Sequence, residues 1–423
     1  MSDLPDNVQN HMAAAQRIMQ RCDTLAECSS MEDGICRVYL SDEHRQVNTI
    51  VADWMNKAGM TTYTDAAGSI CGRFGPDADD APVLLIGSHL DTIPNAGRYD
   101  GILGVMLAIE LSELMQSADL PFAVEVIGFG EEEGVRFGTT LMTSRACAGT
   151  WDNSWLALQD EAETNLNEAM QSFGLDPARI DEAKRVNSQI IGFLEAHIEQ
   201  GPVLETKHLP LAVVSSIAGA RRLRLTLEGQ AAHAGTMPMN MRQDALATAS
   251  RIISLVEDTA VKHNIVATVG QIQCYPNAVN VVPGRVEFSI DARSGDDARR
   301  DVALAEILAS AHTICNERGL TMTETPLHNA GAVACAPNLQ QAVAHGIEST
   351  GLSVHHMESG AGHDAMAFAD LCPVGMLFIR CTGGISHHPD EAVTVEDVSF
   401  SLTALNNTVR RLAETYTAQE THS

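Results

Sequence analysis

The stretch Val83-Leu84-Leu85-Ile86-Gly87-Ser88-His89-Leu90-Asp91-Thr92 decides the fold. Its first four residues form an unbroken apolar run closed by a glycine, the pattern of a strand buried on both faces. After a loop, Gly101-Ile102-Leu103-Gly104-Val105-Met106-Leu107-Ala108-Ile109 reads as a helix apolar on most sides, and Val124-Glu125-Val126-Ile127-Gly128-Phe129 as a second buried strand. Strand, helix and strand in that order predict a parallel α/β sheet. Functional loops of such sheets lie beyond the carboxyl ends of the strands. Both His89 and the run Glu131-Glu132-Glu133 fall there.

Upstream, the spacing predicts one helix through Met12, Ile18 and Met19 and another after Ser41 through Val47, Ile50, Val51 and Trp54. Downstream the grammar changes. Leu223, Leu225 and Leu227 alternate with polar residues as in a one-sided strand. A helix from about Arg242 to Lys262, a strand from Ile265 to Cys274 and a turn at Pro276-Asn277 follow. An alternating strand through Val286, Phe288 and Ile290, a helix from about Asp297 to Arg318 and a strand from Leu320 to Thr325 complete the unit. The order β-α-β-β-α-β is ferredoxin-like. The α/β texture then returns with Val374-Gly375-Met376-Leu377-Phe378-Ile379. The expected organisation is an α/β catalytic domain in two pieces, residues 1–215 and 330–423, interrupted by an inserted α+β domain, residues 216–329.

A chain of 423 residues is too long for one ordinary core, which fits two domains. The formal net charge of −28, with no long basic run, argues against a nucleic-acid or anionic-membrane surface. Met1 to Gln20 lacks the apolar segment of a signal peptide, and no stretch approaches the roughly 18 to 20 apolar residues that span a bilayer. Ten cysteines without a Cys-x-x-Cys pair, several in apolar segments, read as reduced buried thiols. The expected compartment is the cytoplasm.

Four short segments carry the chemistry. His89, at the end of a buried strand, can present an imidazole nitrogen to a divalent cation, and Asp91 can reach back to the other ring nitrogen. Asp100 stands just before a helix and can offer two oxygens to two metals; the alternative is a capping aspartate in a polar loop. In Glu131-Glu132-Glu133 a metal ligand beside a general base would explain the pair Glu132 and Glu133, against the alternative of a solvated acidic turn. His197 is not part of a His-Glu-x-x-His helix, which removes the single-zinc protease reading. Ser386-His387-His388 follows another buried strand. Gly360-Ala361-Gly362-His363-Asp364-Ala365 satisfies a dinucleotide pattern but lacks a βαβ start, and no Gly-x-Ser-x-Gly elbow or phosphate loop is present.

Seven segments, in order from Gly87-Ser88-His89-Leu90-Asp91-Thr92 to Gly384-Ile385-Ser386-His387, carry a family resemblance. Between them stand Gly97-Arg98-Tyr99-Asp100-Gly101, Glu131-Glu132-Glu133-Gly134-Val135-Arg136-Phe137 and His197-Ile198-Glu199-Gln200-Gly201-Pro202. His233-Ala234-Gly235-Thr236 and Asn280-Val281-Val282-Pro283-Gly284 complete the set. Together they resemble the amidase/hydantoinase/carbamoylase branch of the M20 metallopeptidase-like family. That branch includes allantoate amidohydrolases, N-carbamoyl-L-amino-acid hydrolases and β-ureidopropionases.

The resemblance implies a di-metal aminopeptidase-like fold with two divalent ions, Zn, Mn, Co or Ni. His89 and His197 would hold one, Glu133 and His387 the other, with Asp100 bridging and Glu132 as general base. His197 stands where aminopeptidase relatives usually carry a carboxylate, which points to the carbamoylase branch. The resemblance also assigns His233 to the oxyanion and Asn280 and Arg293 to a substrate carboxylate, with Gln200, Gly362 and His363 as further substrate contacts. Read from the residues, Arg293 shares a strand face with Asp291 and Glu287, so a plain cross-strand ion pair is the alternative. Met237 replaces the family's usual second threonine, which puts hydroxyl contacts at that position in doubt. The implied substrate is a small ureido carboxylate, allantoate before an N-carbamoyl-L-amino acid, and the implied assembly a homodimer through the inserted domain, which also serves as a lid. A peptidase or aminoacylase of the same fold, or a non-catalytic binding protein, stand as the competing classes.

Overall fold

The computed structural model describes residues 4–76, 81–185 and 190–420. The extreme ends of the predicted 1–215 and 330–423 pieces therefore lie outside the described residues, as do 77–80 and 186–189. Contacts divide the chain into two compact units. The first is Met1–Ser215 with Cys335–Met357 and His363–Ser423; the second is Ser216–Ala334 with Glu358–Gly362.

In the first unit the strands lie in the order Thr61–Thr64, Ile70–Phe74, Ala123–Phe129, Val83–His89, Ile190–Ile198, Val374–Ile379 and Leu211–Ile217. The four central strands, Ala123–Phe129 through Val374–Ile379 in that order, are mutually parallel, and the flanking pairings are antiparallel. The sheet is mixed with a parallel centre, as unbroken apolar runs require when both faces are covered. Every residue of Val83–His89 and Ala123–Phe129 is buried. The helix Ile102–Met115 packs against Val83–His89 on one side and against the helices Met12–Ala26 and Val395–Glu420 on the other. That sandwiched position explains its apolar circumference: Leu103, Leu107, Ile109 and Leu111 are all fully buried. Each such side chain contributes roughly 1.5–3 kcal/mol of burial. The helix Asp42–Lys57 starts where the sequence places it, with Ser41 Oγ accepting from His44 N at 3.1 Å.

The second unit is an antiparallel sheet in the order Ile272–Tyr275, Arg285–Ser294, Gly219–Glu228, Thr321–Ala330. Leu223, Leu225, Leu227, Val286, Phe288 and Ile290 turn one face toward Ile252 and Val256 of the helix Ala245–His263 and Leu304 and Ile307 of the helix Asp297–Glu317. Three details differ from the sequence reading. The strand expected over Ile265–Cys274 breaks into Val266–Thr268 and Ile272–Tyr275, with Gly270 in the gap. The first helix starts at Ala245 rather than Arg242, because Asp244 caps it by accepting from Ala247 N at 2.9 Å. The last strand runs on to Ala330 past Pro326, whose missing N–H is tolerated at a sheet edge with a register shift before His328. Among the described residues no helix is long and apolar enough to cross a membrane.

Candidate active site

The first unit gathers five of the predicted residues at the carboxyl ends of its parallel strands. His89 ends one strand, His197 lies near the end of another, and Asp100, Glu133 and His387 stand in loops. Potential ligand atoms of His89, Asp100 and His197 lie within 4.8 Å of one another, as do those of Asp100, Glu133 and His387, and those of His89, Glu132 and Glu133. Asp100 is common to the first two groups. Its Oδ1 is 3.1 Å from His197 Nε2 and 3.4 Å from His89 Nε2, while its Oδ2 is 3.2 Å from His387 Nε2. Glu133 Oε1 is 3.4 Å from the same His387 nitrogen.

Asp100 does not cap the following helix, whose N-cap is Gly101 with no side-chain cap bond. Gly101 adopts φ +76°, and a Cβ there would lie 2.5 Å from His89 Cδ2 and Nε2. Glycine is thus required both by the backbone angle and by the imidazole packed against it.

The chemistry of this donor set fits divalent cations. His89 Nδ1 lies 3.0 Å from the Asp91 carbonyl and His197 Nδ1 2.8 Å from the Ile198 carbonyl. A carbonyl only accepts, so both rings carry a proton on Nδ1 and aim Nε2 at Asp100. Imidazole Nε2 atoms facing carboxylate oxygens need positive charge between them, a proton or a cation. The electrostatics point the same way. Burial works against charge on His89 and His197, but Asp100 together with Glu132 and Asp91 around His89, and with Glu195 beside His197, raises both, His89 far above the ordinary histidine range. Hydrogen bonding to Asp100 raises His387 to about 8. Imidazole nitrogen with carboxylate oxygen suits Zn, Mn, Co or Ni.

Asp91 differs from the expectation. The Asp91 main-chain carbonyl, not its carboxylate, takes the His89 Nδ1 proton; the carboxylate stands 3.7 Å off. The carboxylate instead accepts from Glu132 N and Glu133 N, each at 3.2 Å. Glu132 is half-buried, and burial, aided by Asp364, Glu133 and Asp91, pushes its carboxyl well above the usual range. A carboxylate raised in this way is a stronger base than an ordinary one. Glu131, the first of the three, is buried and takes a different part: its Oε1 accepts from Phe137 N at 2.7 Å and closes the loop.

Gln200 Nε2 donates to Asp100 Oδ2 at 2.8 Å, and His363 is buried with its ring edge-on to His197 at 4.5 Å. Sequence reasoning missed Ser386 and Glu391. Ser386 Oγ is 2.7 Å from Asp100 Oδ2 and 2.9 Å from Glu391 Oε2. The one available signal was the carboxylate following the His387-His388 pair. Gln200, Glu131 and His387 all hold left-handed backbone angles, φ +59°, +56° and +56°, a strained conformation that clusters at functional loops.

His233, Asn280, Arg293 and Gly362 belong to the second unit. Gly235 N donates to His233 Nδ1 at 3.1 Å, which leaves the ring proton on the exposed Nε2 as a donor. Ala234 N donates to the Asn280 carbonyl at 2.9 Å, joining the two loops. Arg242 donates to the carbonyls of Met237 and Ala234. The Met237 main chain thus holds this loop whatever its side chain. Arg293 lies in a groove of about 850 Å³ with Arg222, Thr268, Gln271, Ser289 and Asp291. Its Nε and Nη2 each donate to Asp291 at 3.0 Å, and its Nη1 to the Gly360 carbonyl at 3.1 Å. Arg222 Nε reaches the same Asp291 across the strands at 2.9 Å. Arg293 thus pairs along its own strand, and the cross-strand partner of Asp291 is Arg222.

The profile of Peptidase family M20/M25/M40 matches residues 85–411. The chain belongs to this family. Within the M20 family its relatives include an N-carbamoyl-L-amino acid amidohydrolase of Geobacillus stearothermophilus, 38% identical over 95% of this chain and 100% of that one. An allantoate deiminase of Arabidopsis thaliana is 37% identical over 89% of this chain and 78% of its own length. A hydantoinase/carbamoylase family amidase from Burkholderia multivorans superposes with a TM-score of 0.87 at 32% identity, covering 93% of this chain and 97% of its own. As an M20 protein with these relatives, the chain is a hydrolase of C–N bonds.

Proposed function

We propose that this M20 protein hydrolyses a linear ureido C–N bond of a small carboxylate, with allantoate as its substrate. The observation that carries the reading is the convergence of His89, His197, His387 and Glu133 around Asp100. Two divalent ions would be held there, by His89 and His197 and by Glu133 and His387, with Asp100 between them; when bound they supply Lewis acidity and lower the pKa of water. Glu132 takes the proton of the attacking water and returns it to the leaving nitrogen. Asp91, through the two amides it accepts, holds Glu132 in place for that transfer. His233 donates its Nε2 proton to the developing oxyanion. Arg293 and Asn280 hold the substrate carboxylate, and Gln200, Gly362 and His363 contact the substrate. The proposed organisation comprises a catalytic domain in two pieces, 1–215 and 330–423, and a dimerising lid, 216–329, in a cytoplasmic homodimer.

A second reading is an N-carbamoyl-L-amino-acid hydrolase, favoured by the 38% identity to the Geobacillus stearothermophilus relative. Metal-loaded protein offered allantoate and a panel of N-carbamoyl-L-amino acids separates the two. Ammonia release from allantoate supports the first; release only from the carbamoyl amino acids replaces it with the second.

A further inference from the structure

We propose that Glu391 is a positioning residue that sets the spacing between Asp100 and His387, and through it the filling of the second cation position. The proposal rests on the two-metal reading above. Glu391 is buried, at 3% exposure, although its segment is otherwise open. Its Oε1 accepts from Tyr99 N at 2.8 Å and Asp100 N at 3.1 Å. Its Oε2 accepts from Ser386 Oγ at 2.9 Å, and the same hydroxyl lies 2.7 Å from Asp100 Oδ2. One carboxylate therefore grips the main chain of Asp100 and shares with the Asp100 side chain the single hydroxyl proton of Ser386. Ser386 immediately precedes His387, so the grip also fixes the loop that presents the imidazole.

The fit is close. A Cβ at Gly97 would stand 2.3 Å from Glu391 Cδ and Oε1, so the loop entering Asp100 closes directly over this carboxylate. No side chain can occupy position 97 without displacing it.

The two cation positions differ in how they are built. His89 and His197 lie on buried central strands, and sheet packing holds their main chains. His387 stands on a loop, with its side chain 46% exposed and φ at +56°. A strained loop residue persists only where its surroundings over-determine it. Glu391, with its turn bond from Glu391 N to the His388 carbonyl at 3.0 Å, supplies that restraint. Loss of the carboxylate therefore falls hardest on the Glu133–His387 position, while the strand-borne His89 and His197 keep their places and are reached only through the shared Asp100.

The test is cation stoichiometry and stepwise affinity, measured by titrating chelator-stripped protein with Co(II) and following bound metal and absorption. Wild type is expected to bind two ions. Glu391→Ala is expected to bind the second ion roughly 10- to 100-fold more weakly, the usual effect of removing an outer-shell partner, and to weaken the first, which shares Asp100, by distinctly less. Glu391→Gln supplies an oxygen for the two amides and an N–H for Ser386 Oγ, and is expected to restore the second ion. Should Glu391→Ala fail to fold, as judged by circular dichroism, Ser386→Ala, which removes the hydroxyl placed among Glu391, Asp100 and Gln200 and leaves the two amide bonds to Glu391, gives the same selective weakening. Two ions bound by Glu391→Ala with unchanged affinity, or both weakened equally, would overturn the positioning role. Fewer than two in wild type would instead overturn the two-metal reading, and this proposal with it.

Discussion

The Asp91 carboxylate, two residues beyond a histidine of the cluster, is bonded to the main chain of Glu132 rather than to that histidine, with Oδ1 3.2 Å from Glu132 N. The loop of the proposed base is thereby fastened to the loop of the first ligand. Asp91→Ala is expected to retain bound metal while kcat falls roughly 10- to 100-fold, as for other outer-shell partners. Steady-state kinetics beside elemental analysis check this. Loss of metal with unchanged turnover per bound ion would show that Asp91 serves the ligand instead.

Glu132→Gln removes the proton acceptor and keeps the shape. General acid–base catalysis contributes about 10²- to 10⁴-fold, so kcat should fall by that order with both ions still bound. A variant that kept wild-type turnover would remove Glu132 from the mechanism.

Asp291 holds Arg293 in a fixed fork through two bonds at 3.0 Å. Asp291→Ala should raise KM for a carboxylate substrate roughly 10-fold, the scale of one charge-assisted hydrogen bond misaligned. Arg293→Lys should do the same, because an ammonium cannot reproduce the planar fork. Unchanged KM in both variants would exclude Arg293 from substrate recognition.

Stability should depend on pH through His44. Burial lowers its pKa to about 3, and its Nδ1 accepts from Leu40 N at 3.0 Å beside the Phe173 ring. The unfolded chain takes up this proton near pH 6.5. The neutral ring's contribution is therefore full above that pH and is lost as pH falls toward 3. Between pH 7 and pH 5 the loss is about 2 kcal/mol. Denaturant unfolding at both pH values measures it, and His44→Gln, which accepts a bond but takes no proton, should lack this component. An equal pH slope in that variant would assign the effect elsewhere.

What the sequence could reveal followed from local pattern. The unbroken run at Val83–Ile86 announced a buried strand, and the position of His89 beyond it announced a site, because burial and strand direction are both written in neighbouring residues. The pairing of Glu391 with Asp100 is written nowhere locally: the partners stand 291 positions apart and meet only through the fold. The division of labour within Glu131, Glu132 and Glu133 was hidden for a related reason. Three identical side chains differ only in where the backbone aims them, and Glu131 at φ +56° turns inward to Phe137. The break in the strand at Gly270 was similarly masked, since apolar residues continue on both sides of it.

The five clustered donors occur in the order His89, Asp100, Glu133, His197, His387, and Ser216–Ala334 lies between the last two. During synthesis, four of them leave the ribosome before the second unit has begun, and the fifth emerges only after it is complete. A nascent chain holds the makings of the His89–Asp100–His197 position early, whereas the Glu133–His387 position has to wait for nearly the whole polypeptide. A polypeptide that stopped within Ser216–Ala334 would thus carry four of the donors and lack the His387 imidazole.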